Sequence, residues 1–230
     1  MLTGVVVNAV AVIIGSVIGL LFRKGVPERF SDAIMKGVAL CVLYIGISGS
    51  LKGEQTIVVI LSVVIGAVIG TLLDIDGFIT RLGDNLEKRF ASGGEKVSIS
   101  QGFVTASLLF CVGAMTIVGS LTAGLTGDNE MLFTKSVLDF ISSIMLTVSL
   151  GLGVMFSSAF VLVFQGSIAL LAGFLSPIFS ESAINETVCA GSILIIGLSL
   201  NMLGITKIKV ANYMPALLVA PLIIWILEHI

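Results

Sequence analysis

The chain has 230 residues, of which 57% are hydrophobic and only 11% are charged, with a formal net charge of −2. A soluble domain carries about 25% charged residues to cover its surface, so this composition excludes a water-soluble globule. It also excludes a disordered chain, which needs low hydrophobicity and high net charge, and it offers no basic surface for a nucleic acid.

The first apolar run, Leu2 to Phe22, has no basic residue ahead of it, unlike a secretory signal peptide with its positive leading region. It reads as a retained first span. A helix needs roughly 20 apolar residues to cross about 30 Å of hydrocarbon, and only helices and closed barrels satisfy their backbone there. The apolar runs here are too long and too unalternating for barrel strands. In chain order they predict spans at 2–22, 34–51, 56–73, 102–124, 134–151, 154–175, 187–204 and 213–228. The expected fold is therefore an all-α integral membrane protein of about eight transmembrane helices, with six or seven as lower counts. The weakest separation is the break GLGV, Gly151 to Val154, between the fifth and sixth spans.

Loop charge orients these spans, because cytoplasmic loops hold an excess of Lys and Arg. With the N-terminus outside, Arg23, Lys24, Arg29 and Lys36 follow span one, Arg81, Lys88, Arg89 and Lys96 follow span three, and Lys207 and Lys209 follow span seven, all inside. Only Lys52 and Lys135 are left outside, a division of ten against two that predicts both termini on the outer side. The longest polar connection, Asp74 to Ser100, contains GFITRLGDNLEKRF, in which Phe78, Ile79, Leu82, Leu86 and Phe90 recur at helical intervals opposite the charges. That pattern suits an amphipathic linker lying on the cytoplasmic membrane surface.

Sliding the chain by 103 to 104 residues aligns VIIGSVIG, Val12 to Gly19, with TIVGSLTA, Thr116 to Ala123. Phe30 then meets Phe133, Ile34 meets Val137, Ile65 meets Ile168 and Gly70 meets Gly173. The expected organisation is a single membrane domain with repeat one at 1–75, the linker at 76–101, repeat two at 102–177 and a C-terminal helix pair at 187–230. Three spans per unit make the second unit inverted relative to the first, the architecture through which many secondary transporters alternate access around a midplane site.

Polar groups within the spans are few, and an intramembrane polar group is a candidate for function. Asp139 is the acidic residue inside a span, one turn from Lys135, and reads either as a cation or proton handler or as an anchor neutralised by Lys135. Gln165 falls near mid-span, with Ser62 at the corresponding place in the first repeat. Asn8 and Asn201 each end a G-x-x-x-N pattern, but counting about 1.5 Å per residue puts them near 9 and 21 Å from the outer boundary, so they do not share a site. Gly15 with Gly19, and Gly66 with Gly70, are spaced for close helix contacts. As an alternative, Gly15-Ser16 and Gly119-Ser120 mark local breaks whose freed backbone binds a substrate, with FCVGAMTIVGSLTAGLTG the more broken-looking stretch. The candidate substrate-binding set is thus Asn8, Gly15, Ser16, Ser62, Gly119, Ser120, Asp139, Gln165 and Asn201.

Enzymatic signatures fail. GISG, Gly46 to Gly49, superficially matches an intramembrane serine motif, but the single histidine, His229, is the penultimate residue, and no H-E-x-x-H or Walker loop is present. Cys41, Cys111 and Cys189 lie in apolar segments, odd in number and without short spacing, so neither a disulfide framework nor a metal site is expected, and no cofactor.

Three segments together, NAVAVIIGSVIG, FCVGAMTIVGSLTAGLTGD and NMLGITKIKVANYMPALL, resemble the YqgA/YdfK-type family of bacterial multipass inner-membrane proteins, a domain of unknown function, over the whole chain. The resemblance implies a prokaryotic plasma membrane and supplies no substrate or site residues. The reading is a secondary transporter or channel for a small solute or ion, with the lipid bilayer as its environment and a homo-oligomer compatible with it. A non-transporting scaffold or sensor subunit is the alternative.

Overall fold

The computed structural model describes residues 2–23, 28–81 and 99–229. Among them every regular element is helical. In chain order these are α1 (Thr3–Arg23), α2 (Glu28–Ser50), α3 (Thr56–Leu72), α4 (Ile75–Arg81), α5 (Ile99–Cys111), α6 (Ala114–Thr126), α7 (Glu130–Leu150), α8 (Gly153–Leu170), α9 (Ala172–Leu175), α10 (Glu181–Met202), a 3-10 turn (Val210–Tyr213) and α11 (Ala216–His229). Six helices are long and apolar enough to cross a membrane, or up to eight if the bent pairs α3 with α4 and α5 with α6 each form one span.

The apolar runs become helices because hydrocarbon leaves the backbone no other partner, and their ends are set by local chemistry. Gly127 and Gly151 adopt positive φ of 79° and 72° and end α6 and α7, so the weak break expected at GLGV is a tight turn into α8. The Ser180 hydroxyl accepts from the Ala183 backbone N–H and starts α10 at Glu181, six residues ahead of the expected 187. The expected span at 187–204 leaves Glu186 just outside, whereas it lies within α10 and is fully buried. The linker helix begins as expected with α4, whose axis turns 53° from α3, while Leu82, Leu86 and Phe90 lie outside the described residues.

Two helix groups result. In one, α1 lies against α7 and α8, with α5 and α6 on the other flanks of α8; in the other, α2, α3 and α11 gather around α10, and α10 meets α5 and α6. α1 and α7 begin together, since the Gly4 N–H donates to Asn129 Oδ1 at 2.9 Å. This first face of the bundle also holds the starts of α3 and α10, because the Glu54 and Gln55 N–H groups donate to Glu186 Oε1 at 2.7 and 2.8 Å. α11 ends there too, where the Ser180 hydroxyl donates to Glu228 Oε1. The opposite, second face carries the junction of α3 and α4, where the Asp76 N–H donates to Asn212 Oδ1 at 2.8 Å, and the loop after α10.

The glycine pairs work as close contacts. Gly15 and Gly19 bring α1 onto the Phe140 and Ile144 carbonyls of α7, and Gly66 and Gly70 bring α3 onto Ala216 and Asn212. In a membrane no hydrophobic effect pulls helices together, so this backbone approach is where dispersion is gained. A methyl group at Gly70 would run into the Asn212 carbonyl, whereas one at Gly173 meets nothing within 4 Å. Gly70→Ala is therefore expected to cost about 1–3 kcal/mol by overpacking. Gly173→Ala, by contrast, is expected to be neutral or to stabilise by up to about 1 kcal/mol through helix propensity. Thermal unfolding of the purified variants in detergent checks this opposition of sign.

Candidate functional site

The polar side chains on α1, α7 and α8 converge. Asn8 is fully buried on α1 at the level of the first turns of α7, a register fixed by the Gly4 contact with Asn129. Lys135 and Asp139 are one helical turn apart on α7, and the ammonium of Lys135 turns along the helix to Asp139 Oδ2 at 2.5 Å. Both side chains are more than 90% buried. Asn8 Nδ2 donates to the same carboxylate oxygen at 3.0 Å and to Gln165 Oε1 on α8 at 3.3 Å. The four residues form one network across three helices, with two polar atoms, Asn8 Oδ1 and Gln165 Nε2, buried and unpartnered.

A helix break lies at the same depth. α5 ends at Cys111 and α6 starts at Ala114, their axes meeting at 63°. Gly119 packs on Leu132, and counting back six residues on α6 and forward seven on the antiparallel α7, about 9 and 10.5 Å at 1.5 Å each, brings Gly113 level with Asp139. Cys111 accordingly lies within electrostatic reach of both Lys135 and Asp139. The break places the C-terminal end of α5, with the partial negative charge of a helix C-terminus, toward the ion pair. One of its carbonyls, that of Phe110, accepts from the Thr116 hydroxyl at 2.9 Å.

Of the nine sequence candidates, Asn8, Asp139 and Gln165 are joined by hydrogen bonds. Gly15 serves the contact between α1 and α7, and Gly119 packs on Leu132 and Met131. Ser16 and Ser120 are buried with unpartnered hydroxyls on α1 and α6. The breaks envisaged at Gly15-Ser16 and Gly119-Ser120 do not occur, since α1 and α6 run through them. The glycines there are used up in packing, and the real break falls earlier in the stretch marked as broken-looking, at Val112-Gly113.

Ser62 stands apart from this network on α3, its hydroxyl donating to the Val58 carbonyl at 2.6 Å. Asn201 is a loop clamp at the end of α10. Its amide donates to the Ile208 carbonyl, and its carbonyl oxygen accepts from the Ile208 N–H and the Thr206 hydroxyl. It therefore has no tie to the site, as the depth count required.

Lys135, left on the outer side by the charge count but one turn from Asp139 as a neutralising partner, belongs to the buried network although it is not among the site candidates. Glu186 was missed. Its Oε1 takes the first free N–H groups ahead of α3, while Oε2 is buried without a partner. No short motif announces a carboxylate 131 residues from the amide it caps.

Two further openings lie at the second face. A groove of about 590 Å³ is lined by apolar side chains, among them Leu73, Phe78, Phe103 and Phe164. A more polar pocket of about 210 Å³ is lined by Asp76, Thr80, Gln101 and Asn201. Burial pushes the Asp76 carboxyl above the ordinary carboxylate range, against the lowering pull of Lys209 and with Asp74 adding to the rise. Among the described residues no group of three His, Cys, Asp or Glu side chains is placed to hold a metal.

Removing one partner of a buried ion pair leaves the other charge uncompensated, at a cost of about 3–5 kcal/mol, while replacing both with apolar groups is close to neutral. Lys135→Met should therefore lower the unfolding midpoint sharply by leaving the Asp139 carboxylate alone, and adding Asp139→Leu should restore it, as a double-mutant cycle in detergent would measure. Glu186→Ala is expected to cost about 1–2 kcal/mol through loss of the cap on α3.

The family model described as "Protein of unknown function (DUF554)" matches residues 3–225. An uncharacterised membrane protein of Bacillus subtilis, YdfK, is 33% identical over 232 residues, covering 98% of this chain and 96% of its own. An uncharacterised protein of Escherichia coli, YqgA, is 30% identical over 223 residues, covering 96% and 95%. No solved structure matches the chain.

Proposed function

The chain belongs to the DUF554 family of bacterial multipass membrane proteins, and from that premise we propose that it is a secondary transporter or channel for a small solute or ion, not an enzyme. The observation that carries this reading is the buried network of Asn8, Lys135, Asp139 and Gln165 beside the break between α5 and α6. An ion pair is a poor way to stabilise a bundle, since well-packed apolar residues do as well or better, and charges within spans mark ion and substrate pathways. Discontinuous helices whose ends face a midplane site are the recurring means by which transporters bind charged solutes.

In this reading the protein crosses the plasma membrane eight times, with α3 and α5–α6 each counted as a crossing, and both termini lie outside. Support comes from the shared first face of the starts of α1, α7, α3 and α10, which requires an odd number of crossings between the end of α1 and the start of α7. Support also comes from the lysines and arginines, of which Arg81, Lys207 and Lys209 lie on the second face and Lys52 on the first. The inverted repeat belongs to the same proposal. It rests on the alignment of Val12–Gly19 with Thr116–Ala123. Rocking of one unit on the other would expose the network to each side in turn.

In a background with Cys41, Cys111 and Cys189 replaced, an impermeant maleimide applied from outside should label Lys52→Cys and not Lys207→Cys. Equal labelling would remove the topology. For transport, a thermal-shift screen against alkali cations, carboxylates and amino acids selects a solute, whose uptake into proteoliposomes is then measured. Gln165→Leu should stay within about 1 kcal/mol of native stability, the usual worth of an interhelical hydrogen bond in a membrane, and yet lose uptake. Unchanged uptake would exclude the network as the site, and no uptake of any solute in the screen would favour the scaffold.

A further inference from the structure

We propose that the network binds a monovalent alkali or ammonium cation at Asp139, and that Lys135 is a tethered competitor which leaves the carboxylate when the cation arrives; this rests on the transport reading above. Three features of the site point to it.

First, the site is electrically neutral as it stands, one ammonium against one carboxylate. Adding a cation without releasing another would bury a net charge, which costs several kcal/mol per ion even after relaxation. Exchange avoids that cost. Lys135 has somewhere to go, because it is the sixth residue of α7, about 7.5 Å from the helix start at 1.5 Å per residue. A lysine stem at that depth can carry its ammonium out to the headgroup zone at the first face.

Second, one of the two unpartnered atoms, Asn8 Oδ1, is an oxygen that a cation would use. With the lysine in place, Asn8 turns its N–H to Asp139 and Gln165, leaving Asn8 Oδ1 unused on one side and Gln165 Nε2 on the other. Rotating both amides by half a turn presents Asn8 Oδ1 beside the carboxylate and lets Gln165 Nε2 donate to it. Asn8 thus offers a donor to the carboxylate–lysine state and an oxygen to a hard cation, which takes oxygen ligands, while Gln165 turns to match it in either state. A purely structural pair would have no use for two buried orphans, since an unpaired buried polar group is destabilising.

Third, the end of α5 at Cys111 lies within reach of both charges. It brings the negative end of a helix dipole to the place where a positive charge must be held, and it does so whether that charge is the lysine or its replacement. One carboxylate with neutral oxygens suits a monovalent ion. The absence, among the described residues, of any cluster of three acidic, histidine or cysteine ligands gives no support to a divalent one.

The test uses the full chain purified in detergent, with sodium, potassium or ammonium chloride compared against choline chloride at matched ionic strength. One of the small cations is expected to raise the unfolding midpoint of the native protein saturably where choline does not. Lys135→Met should tighten the apparent dissociation constant for that ion by about tenfold, the factor by which a competitor holding about nine-tenths of the sites would weaken binding. Adding Asp139→Asn to Lys135→Met should abolish the cation effect.

Should Lys135→Met fail to fold, the native protein supplies a second readout. The amine of Lys135 should become modifiable by an impermeant acylating reagent when the small cation is added, and not with choline. Midpoints that are equal in all salts together with unchanged Lys135 modification overturn the proposal. If uptake of another solute still depends on Gln165 in that case, the transporter reading stands and only the cation assignment falls. A saturable cation effect without any uptake would have the opposite meaning.

Discussion

A charge carried into hydrocarbon must be met at once by an opposite charge and by hydrogen bonds, and the arrangement of this bundle follows from where that obligation is discharged. α7 carries both charges of the central pair, so the helix itself supplies half of the answer through the four-residue spacing of Lys135 and Asp139. The other half comes from Asn8 and, through it, Gln165, which ties α1 and α8 to α7. The glycines at 15 and 19 then let α1 lie close enough along α7 for Asn8 to reach. Small residues, an amide and an ion pair are parts of one contact.

The same physics recurs at the first face with the opposite sign. There Glu186 is buried on α10 and meets the free N–H groups ahead of α3 rather than a basic side chain. A carboxylate on the positive end of a helix needs no lysine to balance it. At the second face Asn201 and Asn212 use neutral amides to fold the loop after α10 and to hold the junction of α3 and α4.

What the sequence made legible divides along the range of the interactions. The helices were readable because each apolar run satisfies its own backbone, and the turn at Gly151 because glycine tolerates positive φ. Asp139, Asn8 and Gln165 stood out individually, since polar residues are rare in spans, and the structure joins them. Ser62 and Asn201 looked alike on paper but satisfy themselves locally, one on the preceding turn of its own helix and one on its own loop. Glu186 and the position of the break at Val112-Gly113 were not legible: the first depends on a partner 131 residues away, and the second on how α5 and α6 pack against α8 and α7.

The pairing of α1 with α7 also bears on how the protein is made. α1 enters the membrane first, and its Asn8 finds its carboxylate only when a helix 131 residues later has been synthesised. Until then one amide in an otherwise apolar span is a modest burden, and α1 can wait as an independently inserted helix. α7 is in the reverse position, arriving with a lysine and an aspartate that lipid alone accommodates poorly. α1, already synthesised, therefore offers α7 a polar partner in Asn8 when it arrives. Truncated chains lacking the first 23 residues would be expected to strand α7 at the translocation machinery rather than simply to fold less well.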